Sequence, residues 1–505
     1  MAGFSATTEW EFDAATGAST NGGSFNTASA GTNYAWGASQ QVYALTAITN
    51  SVGDWTNISA TINPGARGFI SADVGNMIYI SGGTNFTVGR YQITNVAAGV
   101  ATLNVACGSG ADSTDGTGNM GGSLDNFTTA IIGLPVAGNT IWFKTGTYTL
   151  AAAVTAGTAG TAVLPINIFG YNAAHGDNPT IASGNQPVIS TATYLWTMAN
   201  YWKISYVSLS FASTGTSYGV ATGLYSSYFT CKVTHTAAGR GFSTGQGTLI
   251  LNCEFNGGGL CGIFIYAANV GSNVVNCYIH DALVNGVYFA GGSCSVIGCV
   301  FDSCVTAIAG GSSSQIILNN TIVNCPTGIS GGTMAGWNII NNIIAYCGVG
   351  VTWTTSTLVN RWYNNNFYGN DTDITNVPES GYDAMVGNTA YNPVFPTTID
   401  SAEDGATNGA PGTTLTSAGS DFTGVTTDDK LVVKTASGGA TAGVYRISAV
   451  APGGDTTKLT LATSPGASKT TIHFGIVRGG ASSTNLSLGA SSCKGAGYGI
   501  SLGVG

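Results

Sequence analysis

From about residue 207 onward, the hydrophobic positions recur at a spacing too long for a helix period or a hairpin and too regular for loops. Aligned on itself, the chain brings Val207, Cys231, Cys253, Cys277, Cys299, Asn320, Asn342 and Asn365 into one column, at spacings of 21 to 24 residues. That is the period of a stacked supersecondary unit. Two residues later every position is apolar: Leu209, Val233, Phe255, Ile279, Phe301, Ile322, Ile344 and Phe367. The position between is mixed, with Ser208, Lys232, Glu254, Tyr278, Val300, Thr321, Ile343 and Asn366. Such alternation marks a strand with one buried face. A second column pairs a small residue with an apolar one. Gly219, Gly241, Gly262, Gly286, Ala307, Gly328, Gly350 and Asp373 precede Val220, Phe242, Ile263, Val287, Ile308, Ile329, Val351 and Ile374. The small member is expected at a bend and the apolar one inside.

Stacking parallel strands turns these columns into ladders. The predicted fold is all-β, a right-handed parallel β-helix (a solenoid) with rungs of about 22 residues. Cys231, Cys253, Cys277 and Cys299 would form an internal thiol stack, continued by Asn320, Asn342 and Asn365, whose amides can bond along the axis. Cys304, Cys325 and Cys347 would form a second ladder. Phe301 is expected inside, and Thr321 outside. Two stretches outside this pattern resemble each other, residues 68–106 and 422–462, each carrying a Gly-x-Tyr-x-Ile strand: Gly89-Arg90-Tyr91-Gln92-Ile93 and Gly443-Val444-Tyr445-Arg446-Ile447. Both predict small antiparallel β modules. The expected organisation is an N-terminal segment over 1–60 serving attachment, a module over 61–120, the β-helix over 121–400, an inserted module over 401–480 and a closing segment over 481–505.

Composition supports an extended β architecture. Of 505 residues only 7% are charged, while 75 are glycine, as in surfaces made of stacked strands and tight turns. A net charge of −9 disfavours a phosphate backbone, so no nucleic-acid partner is expected. Met1-Ala2-Gly3-Phe4-Ser5 lacks the basic and apolar segments of a signal peptide, and no run is long enough to span a membrane. Eleven cysteines are an odd number in a chain too long to need staples. With no Cys-x-x-Cys pair, they are read as small buried side chains, and no cofactor is expected.

Asn139-Thr140-Ile141-Trp142-Phe143-Lys144-Thr145-Gly146-Thr147-Tyr148, followed by Ile166-Asn167-Ile168-Phe169-Gly170, is similar to the opening of the pectate-lyase-like right-handed β-helix superfamily. Asn392-Pro393-Val394-Phe395, Asn485-Leu486-Ser487-Leu488 and Ser491 to Gly497 resemble its closing segment. Within that superfamily the chain most resembles phage tailspikes and other virion appendages, on account of its two small modules. The resemblance specifies fold strongly and function weakly. It implies a homotrimer in which outward apolar residues such as Val300 and Ile343 are covered.

Glycan-cleaving members place converging carboxylates on neighbouring rungs. The best constellation here is Asn256, His280 and Asp302 on consecutive rungs, with Asp281 beside them and His235 below. The Gly-His-Gly, Asn-Thr-Asp and Asp-Asp patterns of polygalacturonase-like hydrolases are missing, and a solvated turn is the plainer reading. Asp371 and Asp373 are candidate calcium ligands, weighed against a polar turn. Trp337, Trp353, Trp362, Tyr363 and Tyr368 are candidate sugar-stacking residues, weighed against core packing. The leading expectation is a virion appendage, made in the host cytoplasm, with other virion proteins bound through the N-terminal region and a host surface glycan as ligand. A polysaccharide-degrading enzyme and a bacterial surface adhesin, extracellular or on the cell surface, are the alternatives.

Overall fold

The computed structural model describes residues 4–26, 42–127, 134–193, 195–214, 217–266, 270–332, 336–353, 360–375, 385–386, 398–408, 412–418, 422–423, 425–427, 430–433, 440–441, 443–470 and 472–477. The chain divides into two compact units, one of Met1–Phe211 with Thr222–Lys232 and one of Ala212–Ala221 with Val233–Gly505. The same plan recurs in both: rungs of three short strands, each strand parallel to its counterpart in the next rung, and one closed antiparallel barrel. The chain is a parallel β-solenoid, as the columns predict.

In the first unit the chain enters the solenoid at once. Thr8–Phe12 pairs in parallel with Thr140–Lys144, placing Glu9 opposite Thr140 and Phe12 opposite Phe143. Ile166–Tyr171 and Trp202–Ser205 extend the same sheet. Between its first two strands the chain detours through a six-stranded barrel running from Val42–Ser51 to Gly116–Gly121. Residues 1–60 are therefore not a separate segment. Their beginning is a solenoid strand, and Val42–Ser51 and Asp54–Asn63 are the first two barrel strands, which the predicted boundary at 61 had cut away. The reason lies in Leu45, Ile48, Ile58 and Ile62, the fully buried positions through which these strands join the barrel core.

In the second unit the expected register is observed. Ile279, Phe301, Ile322, Ile344 and Phe367 stand opposite one another along one sheet, and all are buried. The Asn column is an internal amide ladder. Asn320 Nδ2 donates to Asn342 Oδ1 at 3.0 Å, and Asn342 Nδ2 donates to Asn365 Oδ1 at 3.0 Å. The thiols of the first and second ladders are buried alongside. The glycine column does not sit at bends. It lies inside strands, where a Cβ on Gly286 would stand 2.6 Å from the Ala307 carbonyl oxygen and 3.0 Å from the Phe301 ring. Close approach, not backbone freedom, keeps those residues small. Thr321 lies between inward residues as predicted but is also buried, because the outer face there is covered around Val323 and Ala345.

The corners follow a rule of their own. Asn252, Asn276, Gly298, Asn319, Asn341 and Asn364, each immediately before the Cys/Asn column, adopt left-handed backbone at φ between 51° and 64°. A second corner repeats at Gly257, Asp281, Ser303, Asn324, Tyr346 and Gly369, and a third at Gly247, Gly271, Ser293, Ser314 and Gly336. Each corner rotates the strand direction, and the residue after it points inward.

The second barrel runs from Thr398–Thr407 to Ile472–Val477 and repeats the strand order of the first, 1-2-5-4-3-6. The likeness extends to single bonds: Tyr91 and Tyr445 each donate to the carbonyl four residues back, Thr87 and Thr441, at 2.7 Å. The closing motifs at 392–395 and 485–497 lie outside the described residues.

Substitutions at two positions test this architecture by denaturant midpoint. Asn342→Leu removes the acceptor of the Asn320 N–H, bonded at 2.8 Å, and should cost about 1–3 kcal/mol for that buried donor. Asn341→Val should cost about 1–2 kcal/mol, since a branched side chain is forced into left-handed backbone, and Asn341→Gly appreciably less. Equal effects of Val and Gly would contradict the corner assignment.

Candidate functional site

The predicted constellation lies on the outer face of the second sheet, where Glu254–Gly257, Tyr278–His280 and Val300–Asp302 are consecutive strands. Register places Asn256 opposite His280, and His280 opposite Asp302. The side chains then separate in role. His280 does not bond to Asp302; its Nδ1 meets Asp281 Oδ2 at 2.8 Å, and its Nε2 lies 3.6 Å from Glu254 Oε1, an ion-pair distance beyond hydrogen bonding. The imidazole stacks on Tyr278 with centroids 4.4 Å apart. Side-chain exposures of 13% for His280, 19% for Glu254 and 17% for Asp281 leave an edge of this group at the surface.

Asp302 is sealed. Its Oδ1 accepts from Asn324 Nδ2 and Ser303 Oγ, both at 3.0 Å, and Tyr278 Oη approaches Oδ2 at 3.5 Å. Burial pushes its carboxyl above the usual range despite those donors. Burial alone would lower the His280 pKa, but Asp281 and Glu254 more than offset it, raising it to about 9. At neutral pH the site is therefore an imidazolium held between two carboxylates. His235 is elsewhere and buried, with Nε2 2.8 Å from Ser213 Oγ.

Among the candidate sugar-stacking residues, Trp337, Trp353 and Trp362 are interior. They pack edge-to-face on one another at 5.1 and 5.8 Å. A glycan cannot reach them, because the indoles fill the core of the later rungs. Tyr363 and Tyr368 are half-buried on outer faces, and Tyr368 packs edge-on against Tyr346 at 5.7 Å. Asp371 lies at a bend and Asp373 inside the strand Thr372–Thr375, with Asn370 Nδ2 donating to Asp373 Oδ1 at 3.0 Å. Among the described residues no group of three or more His, Cys, Asp and Glu is placed to hold a metal ion.

The first unit contains a polar cluster that the sequence reading missed. Glu11 is buried, its oxygens bonded by Tyr171 Oη and by His175 Nε2 at 2.9 Å, and His175 stacks on Trp142 at 3.9 Å. Asp13 accepts from Lys144 Nζ at 2.9 Å and from Thr16 Oγ1 at 2.8 Å. Burial drives Glu11 well above its ordinary value and lowers His175 to about 4. Both oxygens of each carboxyl are occupied from within, so the cluster braces the sheet and offers nothing to a substrate. Acidic residues at alternate positions 9, 11 and 13, along the strand Thr8–Phe12 and one residue past it, were the available signal.

The family model described as periplasmic copper-binding protein (NosD) matches residues 225–394. No curated protein matches the chain. Among solved structures, the A-module of mannuronan C-5 epimerase AlgE4 from Azotobacter vinelandii is similar over 50% of this chain and 91% of its own, at 11% identity and a TM-score of 0.32. Pectate lyase Pel9A is similar over 53% and 76%, at 15% identity and 0.32. The catalytic domain of a GH87 α-1,3-glucanase is similar over 70% and 87%, at 12% identity and 0.29. At such scores the neighbours' chemistry does not transfer.

Copper does not fit the described cysteines and His280 of the matched range. The thiols of Cys277 and Cys325 are pushed up by burial, and they turn onto backbone carbonyls at 3.2 and 3.1 Å. His280 is engaged as a cation.

His280 provides a pH test. Its folded value lies above the ordinary 6.5, so its contribution to stability is complete below about pH 6.5 and is lost as pH rises through about 9. Ring-proton NMR should give a midpoint near 9, and Asp281→Asn, tolerable at φ 61°, should lower it. A wild-type midpoint at or below 6.5 would contradict the arrangement.

Proposed function

We propose that the chain is a virion appendage protein of the tailspike, fibre or capsid-spike kind, whose solenoid presents a glycan- or receptor-binding surface. One observation carries this reading: on the second sheet's outer face Asp302 is sealed by internal donors, while an edge of Glu254, His280 and Asp281 stays exposed. Hydrolysing a glycosidic bond canonically takes two carboxyls converging on it. Binding takes only fixed donors and acceptors, and Glu254 and Asp281 are acceptors for sugar hydroxyls. The duplicated barrels support an assembly role, with other virion proteins contacted through the N-terminal region. The half-buried outer Val300 and Ile343, grouped with Tyr346 and Tyr368, suit burial against further copies in a homotrimer. The protein is then located on the virion.

A polysaccharide-degrading enzyme is the second reading, favoured by His280 itself. A cationic imidazole between carboxylates is a proton donor at neutral pH. A surface adhesin shares the binding chemistry and differs in location. Immunodetection in purified particles, together with binding to surface glycans of the host, tests the proposal. Glu254→Gln combined with Asp281→Asn should weaken glycan binding about tenfold, the worth of roughly one charge-assisted hydrogen bond. Shortening of a polysaccharide by the wild type, lost in His280→Ala, would replace the proposal with the enzyme.

A further inference from the structure

We propose that Tyr201 and Tyr225, at a solenoid corner of the first unit, form a platform for the apolar face of a neutral pyranose. This would be a second glycan site, distinct from the group around His280, and it rests on the reading that the chain binds glycans.

The first observation is conformational. Tyr201 and Tyr225 adopt left-handed backbone, φ 59° and 56°. In later rungs the same repeat position holds Gly247, Gly271 and Gly336, or the small Ser293 and Ser314. A bulky aromatic residue there is strained, and strain persists where something else holds the side chain in use. Tyr346, also left-handed at φ 55°, has a packing reason, since it joins Tyr368 and Ile343 in an apolar cluster.

At the corner pair Tyr201 is half-buried like Tyr346, but Tyr225 is exposed. The two rings stack on each other, centroids 5.2 Å apart and planes 18° from parallel. Tyr225 is 45% exposed and the adjoining Leu224 is 37% exposed. Their backbone is nevertheless fixed. Tyr201 N donates to Leu224 O at 2.9 Å, Leu224 N donates to Asn200 Oδ1 at 2.8 Å, and the next residue, Trp202, is fully buried with its indole N–H on Thr158 O at 2.9 Å. The exposed Tyr225 ring, backed by the parallel, half-buried Tyr201 ring on a fixed backbone, is preorganised for a flat apolar face on its outer side, at little further entropy cost.

Polar residues follow the corner tyrosines on the strands just after them. Exposed Lys203 and half-buried Ser227 lie two residues beyond the corner tyrosines and are opposite each other in register. A pyranose combines one apolar face with a rim of hydroxyls, which matches rings bordered by an ammonium and a hydroxyl. An all-apolar ligand would waste both polar groups.

The test is calorimetric titration of the full-length protein with gluco-, galacto- and manno-configured neutral hexasaccharides, paired with denaturant midpoints. At least one should bind. Tyr225→Gly should weaken it about tenfold while leaving the midpoint unchanged or higher, because glycine relieves the strained corner. Tyr225→Phe should retain affinity. A structural role predicts the reverse, a lower midpoint with binding intact, and that result would overturn the platform. Binding abolished by Glu254→Gln with Asp281→Asn, and unaffected by Tyr225→Gly, would also overturn it while leaving the proposed function standing. Failure of every hexasaccharide to bind would overturn the platform alone if host glycans still bind the wild type, and both readings if they do not.

Discussion

The solenoid depends on what happens to the backbone N–H just past each corner. Where a strand ends and the chain turns, that N–H leaves the ladder between strands while remaining buried, and a buried donor without an acceptor is costly. The chain supplies an acceptor from the next rung. The N–H groups of Cys299, Asn320 and Asn342 bond the side-chain oxygens of Asn320, Asn342 and Asn365 at 2.8 to 2.9 Å. The other corners repeat the device: Cys294 N to Gln315 Oε1 at 3.1 Å, Trp337 N to Asn360 Oδ1 at 3.0 Å, and Cys347 N to Asn370 Oδ1 at 2.9 Å. In the thiol rungs sulfur takes the acceptor's place, as in Cys277 N to Cys299 Sγ at 3.4 Å. Cysteine and asparagine share a column because each is small, fits the interior and presents an acceptor along the axis.

Because corners and interior satisfy the backbone, outer-face side chains are released from structural duty, though not uniformly. Asp302 is drawn into the covered part of the second sheet by Asn324 and Ser303, whereas Glu254, two rungs earlier, keeps an exposed edge. The same strand face thus holds a sealed acid, its carboxyl pushed up by burial, and a charged ion-pair cluster. Proximity on consecutive rungs is a property of the fold; freedom to react is set by what covers each group.

Much of this was legible in the sequence because the period of 21 to 24 residues exposes both inward columns at once. Phe301 and Asn342 stand where alternation put them. Three things were not legible. Alternation gives the side a residue faces but not whether that side is covered, so Thr321 was read as exposed. Large aromatics suit a core and a sugar surface equally, so sequence alone leaves Trp337, Trp353 and Trp362 candidates for either. The contact of Glu11 with Tyr171 and His175 joins residues 160 or more positions apart, and no local pattern carries that pairing.

The two barrels show how one module acquires different surfaces. Strand order and the Tyr-to-Thr bond are common to both, so the internal requirements of the module are the same. Residues flanking that tyrosine differ. In the first barrel Arg90 donates to the carbonyls of Ser19, Asn21 and Gly22, and Gln92 bonds Ser5 and Thr8, fastening the barrel to the entering solenoid strand. In the second, Val444 and Arg446 occupy those sequence positions. Valine cannot donate to carbonyls, and an arginine in place of Gln92 has no acceptor to offer the N–H of Ser5. The first barrel's fastening therefore rests on residues that the module's own fold does not require.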